Sequence, residues 1–279
     1  MSDADLNDQY EIESRVEDPE GVQSRYAALS VAAAELPGAR LDVAYCTGAR
    51  QRLDVFAPPQ GPAPALMFFH GGYWRAGSKE TRRFPAVAWR ERGVAWVPVG
   101  YRLAPETTLD EIVADARAAL AWLHRNGLDV GCDPGRIHVA GNSAGGHLAG
   151  MLAADGWQEA AGVPRDVVKS AVAVSGLFDL TPLRRTFVND WLRLDRESAE
   201  RNSPIRFPVR ADLPVLLAWG ARESAAFRQQ SLDYARRCGG QVRSMECDGA
   251  DHFSVIGEFA DPDSALFQAI AAQVGTGGC

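Results

Sequence analysis

Between residues 136 and 154 a β-prone run, RIHVA, meets the helical stretch AGGHLAGMLAA with only Gly141-Asn142-Ser143 between them. Few backbones satisfy that junction. The G-x-S-x-G of residues 141–145 is the pattern of a sharp strand-to-helix turn that strains the central serine and lifts its hydroxyl above the edge of a sheet. Glycines flank the serine because side chains there would collide with the neighbouring strand and helix. The helix N-terminus aims free N–H groups at the same place, where developing negative charge is stabilised. The plainer alternative is a glycine-rich turn carrying an incidental serine.

The rest of the chain alternates in the same way. Strands are predicted at 52–56, 65–69, 94–99, 136–140, 169–174, 214–219 and 241–246, and helices at 22–36, 79–92, 109–126, 144–154, 224–237 and 263–273. The runs at 65–69, 94–99 and 214–219 are almost wholly apolar, as expected of central parallel strands covered on both faces. The fold class is therefore α/β, a mostly parallel sheet flanked by helices. Residues 21–279 read as one domain. Residues 176–212 form a long excursion between two strands, interrupted by Pro182, Pro204 and Pro208, and such an excursion is expected to act as a lid or pocket wall.

Charge narrows the function. Residues 1–20 hold eight acids against one base, Arg15, which accounts for the whole net charge of −7. This acidic arm reads as a polar, solvated tail. The neutral body offers no basic stripe to a nucleic acid, and no apolar run approaches the ~18 residues of a membrane span. Only Lys79 and Lys169 among the 29 bases are lysines, and neither sits in a convincing Schiff-base site. Cys46, Cys132, Cys238, Cys247 and Cys279 are scattered, with no CxxC pair. That spacing predicts reduced thiols, a cytoplasmic location and no metal site.

A serine nucleophile needs a base, an acid to orient the base, and donors for the oxyanion. His70-Gly71-Gly72-Tyr73-Trp74 directly follows the strand ALMFF, and its glycines allow a tight turn that presents main-chain N–H groups. The expected donors are Gly72, Tyr73 and Ala144, with His70, Gly71 and Trp74 shaping the loop. Of the five histidines, His252 lies in a loop after the last predicted strand, where the order Ser…acid…His places the base. His124 falls mid-helix, and His138 and His147 read as packing residues. Glu223, after PVLLAWG, is the leading acid, with Asp179 and Asp251 as rivals.

These residues carry a resemblance. The chain is similar to α/β-hydrolases of the hormone-sensitive-lipase and esterase type, and within them it resembles the kynurenine formamidase (arylformamidase) group. HGGYW matches the HGG-x-W of that group rather than the HGGG of typical esterases. GNSAGGHLAG, SGLFDLTPLRRTFVNDWLRLDRESAERNSP, GARESAAFRQQS and DGADHF resemble its other segments, between about residues 40 and 260. The family acid falls on Glu223, where the family commonly has Asp, and the family histidine on His252. The resemblance implies a cofactor-independent serine hydrolase of N-formyl-L-kynurenine, its substrate a small aryl amide or ester. Tyr73, Trp74, Phe178, Asn189, Trp191 and Phe253 are the expected pocket residues. A broad carboxylesterase on the same scaffold is the second reading, and a non-catalytic ligand-binding protein of hydrolase fold is the third. Oligomeric state stays open.

Overall fold

The near-continuous apolar runs of the sequence lie at the centre of a single eight-stranded sheet. Residues 2–238 and 241–275 are described by a computed structural model; Cys279 lies outside them. The chain runs α1 (Asp3–Tyr10), α2 (Pro19–Ala34), β1 (Arg40–Ala44), β2 (Arg52–Val55), β3 (Ala63–Phe69), α3 (Ala86–Glu91), β4 (Ala95–Val99), α4 (Leu109–Asn126) and β5 (Cys132–Asn142). It continues with α5 (Ala144–Ala153), β6 (Val168–Val174), α6 (Asn189–Leu192), α7 (Arg196–Arg201), β7 (Val215–Gly220), α8 (Ala225–Cys238), β8 (Val242–Cys247) and α9 (Ala265–Val274).

The strand order is β1-β2-β4-β3-β5-β6-β7-β8. β1, β2 and β4 pair antiparallel, and every pairing from β4 through β8 is parallel. Alternation along each strand divides the core. Met67, Phe69, Val97 and Val139 face one layer, which includes the apolar stripe of α4 at Leu109, Ile112, Val113, Ala116, Leu120 and Leu123. Leu66, Phe68, Trp96 and Ala140 face the other, with Trp89 of α3 and Phe267 and Ile270 of α9. Covering both faces is what a parallel sheet requires. A Thr108–Glu111 capping box starts α4 by satisfying the first free N–H groups of the helix.

β3 lies between β4 and β5, so the winding direction reverses at β3. The crevice beyond the carboxyl ends of strands at such a reversal is where open α/β sheets bind ligands. The loop after β3 and the turn after β5 both open there, which brings residues 70–74 beside Ser143.

Three expectations change. The helix predicted at 79–92 is a 3-10 turn at Glu80–Arg82 followed by α3, because Pro85 lacks an N–H and disfavours helical backbone at Phe84. β1 was not expected. Its residues are mostly exposed, so it lacks the apolar alternation that marks a half-buried strand. The arm is not a solvated tail. Ser2 and Asp5 cap α1 reciprocally, and Tyr10 and Val16 are buried. Leu6 and Tyr10, one helical turn apart, turn toward the body, and Ile12 joins the same core. Those four apolar residues are the signal that the dense negative charge hid.

Candidate active site

Ser143 sits between β5 and α5 with φ +55° and ψ −118°, a conformation that costs a non-glycine residue about 1–3 kcal/mol. Its surroundings hold it there. Its N–H donates to Val174 O (2.8 Å) and its carbonyl accepts from His147 N (3.0 Å). Gly145 packs its Cα against the Phe69 and His70 carbonyls, and a Cβ there would lie 2.8 Å from His70 O. Glycine is therefore required by close approach rather than by φ. Ser143 is 2% exposed, and its Oγ has no hydrogen-bond partner among the described residues.

Glu223 lies just after β7 and His252 after β8. His252 Nδ1 donates to Glu223 Oε2 at 2.7 Å. The other oxygen, Oε1, accepts from Gly220 N (2.7 Å) and Ser175 Oγ (2.5 Å), so the carboxylate is fixed at both ends. With the proton on Nδ1, Nε2 is left as an acceptor, and it too is buried without a partner among the described residues. Phe227 covers the imidazole with ring centres 4.6 Å apart. The rival acids are occupied elsewhere. Asp251 accepts from Phe253 N and Ser254 N and pairs with Arg222 at 3.1 Å, while Asp179 accepts from Thr181 N. Of the three acids weighed from sequence, Glu223 is the one bonded to His252. Ser175, itself at φ +51°, was missed: one serine after a strand carries no signal without the acid it meets.

The loop at 70–74 lies against the elbow. Gly71 N donates to Asn142 Oδ1 (3.2 Å), and a Cβ on Gly71 would stand 3.2 Å from Ser143 Cβ. Gly72, Tyr73 and Trp74 have φ of +115°, +47° and +55°. This left-handed run turns the backbone so that the N–H groups of Gly72 and Tyr73, like that of Ala144, donate to no acceptor among the described residues. His70 stacks on Tyr101 (4.2 Å), accepts the Tyr101 hydroxyl at its carbonyl (2.6 Å) and donates from Nδ1 to Gly71 O (2.8 Å). Burial pushes its pKa down to about 3, so it stays neutral and anchors the loop. Trp74 is buried and donates from Nε1 to His147 Nδ1 (3.2 Å), while His147 Nε2 donates to Asn202 O (2.7 Å).

The aromatic expectations divide. Trp191 donates from its indole to Tyr73 O at 3.1 Å, and Phe253 lies 6.1 Å from the His252 ring; both flank the site. Phe178 does not line it. That side chain is fully buried and stacked on Tyr234 at 4.2 Å, in space left by Gly150 and Gly176. Asn189 is also no pocket residue in its polar atoms, which bond Arg184 O, Leu194 O and Leu194 N and staple the 184–194 loop. Trp74 belongs to the core for the reason given above.

The arm reaches this site. Tyr73 donates its hydroxyl to Tyr10 O, Ser224 donates to Gln9 O (2.6 Å), and Gln230 donates to Tyr10 Oη (3.1 Å). Glu11, Ile12 and Arg15 share a small recess with Glu223 and His252. Deleting residues 2–16 removes an anchor of the Tyr73 loop and is expected to lower kcat/KM by about ten-fold or more. Steady-state rates of the truncated and full chains check this; equal values would return the arm to a bystander.

The mostly parallel sheet covered by helices on both faces, with a strained serine turn at its carboxyl edge, is the architecture of an α/β-hydrolase. Residues 66–255 match the alpha/beta hydrolase fold family, and the chain belongs to it. Kynurenine formamidase of Salmo salar is 33% identical over 251 residues, spanning 84% of this chain and 82% of that protein. Kynurenine formamidase of Danio rerio is 32% identical over 250 residues, with the same coverage. Esterase LipC of Mycobacterium tuberculosis (strain ATCC 25618 / H37Rv) is 33% identical over 239 residues, 76% of this chain and 59% of its own. A crystal structure from Silicibacter sp. TM1040, put forward as a thioesterase, superposes with a TM-score of 0.85 at 31% identity, covering 95% of this chain and 98% of that one. The chain is accordingly a hydrolase of the formamidase and esterase kind. Among the described residues no helix is long and apolar enough to cross a membrane, and no cluster of His, Cys, Asp and Glu could hold a metal ion.

Proposed function

We propose that the protein hydrolyses an aryl formamide, N-formyl-L-kynurenine, to L-kynurenine and formate. The observation that carries the chemistry is the pair of buried, unpartnered atoms, Ser143 Oγ and His252 Nε2, with Nδ1 of the same ring committed to Glu223. In this reading His252 Nε2 takes the Ser143 proton as Oγ attacks the formyl carbon. The oxyanion is held by the N–H groups of Gly72, Tyr73 and Ala144. His252 then gives the proton to the leaving aryl amine, and the C–N bond breaks. Water, deprotonated by the same nitrogen, adds to the formyl carbon; the bond to Ser143 Oγ then breaks, His252 returns the proton to Oγ, and formate leaves. Glu223 keeps the proton on Nδ1 and stabilises the imidazolium.

The choice of substrate rests on the two formamidase relatives and on the aromatic flank of Tyr73, Trp191 and Phe253. Residues 176–212 supply part of that flank through Trp191. The esterase relative supports the second reading, a carboxylesterase for short or aryl esters. A panel of N-formyl-L-kynurenine against p-nitrophenyl acetate, butyrate and hexanoate separates the two. The formamide is expected to give the higher kcat/KM by about ten-fold or more, since a site shaped for one substrate discriminates in transition-state binding. Ester rates far above the formamide rate would overturn the formamidase assignment and leave the esterase. The unpaired thiols Cys46, Cys132, Cys238 and Cys247 support a reducing, cytoplasmic setting.

A further inference from the structure

A further cavity lies away from the serine. It is a groove of about 920 Å³ along the outer face of α4 and the C-terminal end of α5. Met151 and Ala154 line it, while Ser143 stands at the opposite end of the ten-residue α5, about 15 Å away along the helix axis at 1.5 Å per residue.

One side chain in this groove has no counterpart. Arg117 makes no hydrogen bond and no ion pair among the described residues, and its Nε is fully buried. Its guanidinium lies 5.6 Å from the centre of the Trp157 ring, and burial alone acts on it, pushing its pKa down. The carboxylates on the groove wall are already used: Asp110 binds Arg201 at 2.8 Å, and Asp155 binds Arg165. Two turns further along α4, Arg125 donates to the Ala161 carbonyl and has no acid among the described residues either. Elsewhere on the same helix the opposite holds, since Asp115 is bonded to Arg102 at 2.7 Å. Arg117 as a whole is half-buried, with Nε withdrawn from solvent, so its guanidinium gives up part of its hydration with no carboxylate to offset the loss; the surrounding wall is aromatic and aliphatic, with Trp122, Trp157 and Phe207.

We propose that this groove is a second binding site, for a small aromatic carboxylate: the carboxylate pairs with Arg117, and the ring lies among Trp122, Trp157 and Phe207. The volume accommodates a two-ring acid with room to spare. The charge on the wall selects an anion, because its own acids are neutralised by other arginines. The site is separate from the serine chemistry and does not depend on which substrate that chemistry takes.

The test is calorimetric titration of the full chain with indole-3-acetate and with its uncharged isostere indole-3-acetamide. The acid is expected to bind with one-to-one stoichiometry and at least about ten-fold more tightly than the amide, as a charge-assisted pair implies. Arg117→Met is expected to abolish that preference while leaving hydrolysis by the Ser143 site unchanged. Ala118→Trp, which fills the groove from α4 without altering charge, is expected to block both ligands. The proposal is overturned if acid and amide bind alike to the native chain, if neither binds, or if the acid binds Arg117→Met as it binds the native protein. It is equally overturned if substrate displaces the acid competitively, which would place it in the serine pocket. The acid–amide contrast is read on the native protein, so it stands even if a variant fails to fold.

Discussion

Ser143→Ala is expected to lower kcat by about 10⁴-fold or more with the fold intact, because the proposed mechanism loses its nucleophile while the proposed oxyanion donors and the binding surface remain. The thermal midpoint should change little: Ser143 Oγ has no hydrogen bond to lose among the described residues, and the strained φ of +55° is held by the backbone and by neighbouring glycines. Glu223→Gln should act on the same transition state through His252, whose Nδ1 it bonds. The amide can present its NH2 to His252 Nδ1, favouring the tautomer with the proton on Nε2, which cannot take one from Ser143. A loss of about 10³–10⁴-fold in kcat is expected, with KM moved less. Combining the two substitutions should cost little more than Ser143→Ala alone, since members of one catalytic unit are not additive. Near-native turnover in either single variant would remove that residue from the mechanism.

The second large effect is on stability in acid. His70, His138 and His147 are buried, and desolvation pushes their pKa values down to about 3, about 4 and about 4. In the unfolded chain each returns to the ordinary value of about 6.5. The unfolded state therefore binds protons at a pH where the folded state does not, and the folded state loses ground as pH falls from about 6.5 toward 4. The slope is about 1.4 kcal/mol per pH unit for each histidine. At pH 5 each contributes a loss of about 2 kcal/mol, and three together approach the ~5–15 kcal/mol that holds a typical domain folded. Glu80, held down to about 2 chiefly by Lys79 against the cost of its burial, adds to the loss only below the ordinary carboxylate range. Urea midpoints between pH 7.5 and 5 should fall steeply, and His138→Gln, which cannot protonate, should flatten the curve. A midpoint independent of pH across that window would contradict this account.

Much of the fold was legible because its signals are local. Each parallel strand from β3 to β8 was marked by its apolar run or its β-prone residues, and α4 by its periodic face. The failures are equally physical. β1 is an exposed edge strand with no alternation to read. The 79–92 helix yielded to one proline. The arm was misread because eight acids outweighed Leu6, Tyr10, Ile12 and Val16, although those four decide where it packs.

The same division runs through the site. Gly141–Gly145 fixed the serine turn from sequence alone, because a backbone that crowded admits few residue types, and the loop at 70–74 and the His252 loop follow from strand order. Choosing among Glu223, Asp179 and Asp251 was a different problem. Position after a strand and the family pattern put Glu223 ahead of its two rivals, but only folding brings its Oε2 to 2.7 Å from His252. Ser175, the burial of Phe178 and the Arg117 without an ion-pair partner among the described residues are of that kind. Each is a relation between segments distant in sequence, set by how the helices close on the sheet, and no local pattern encodes it.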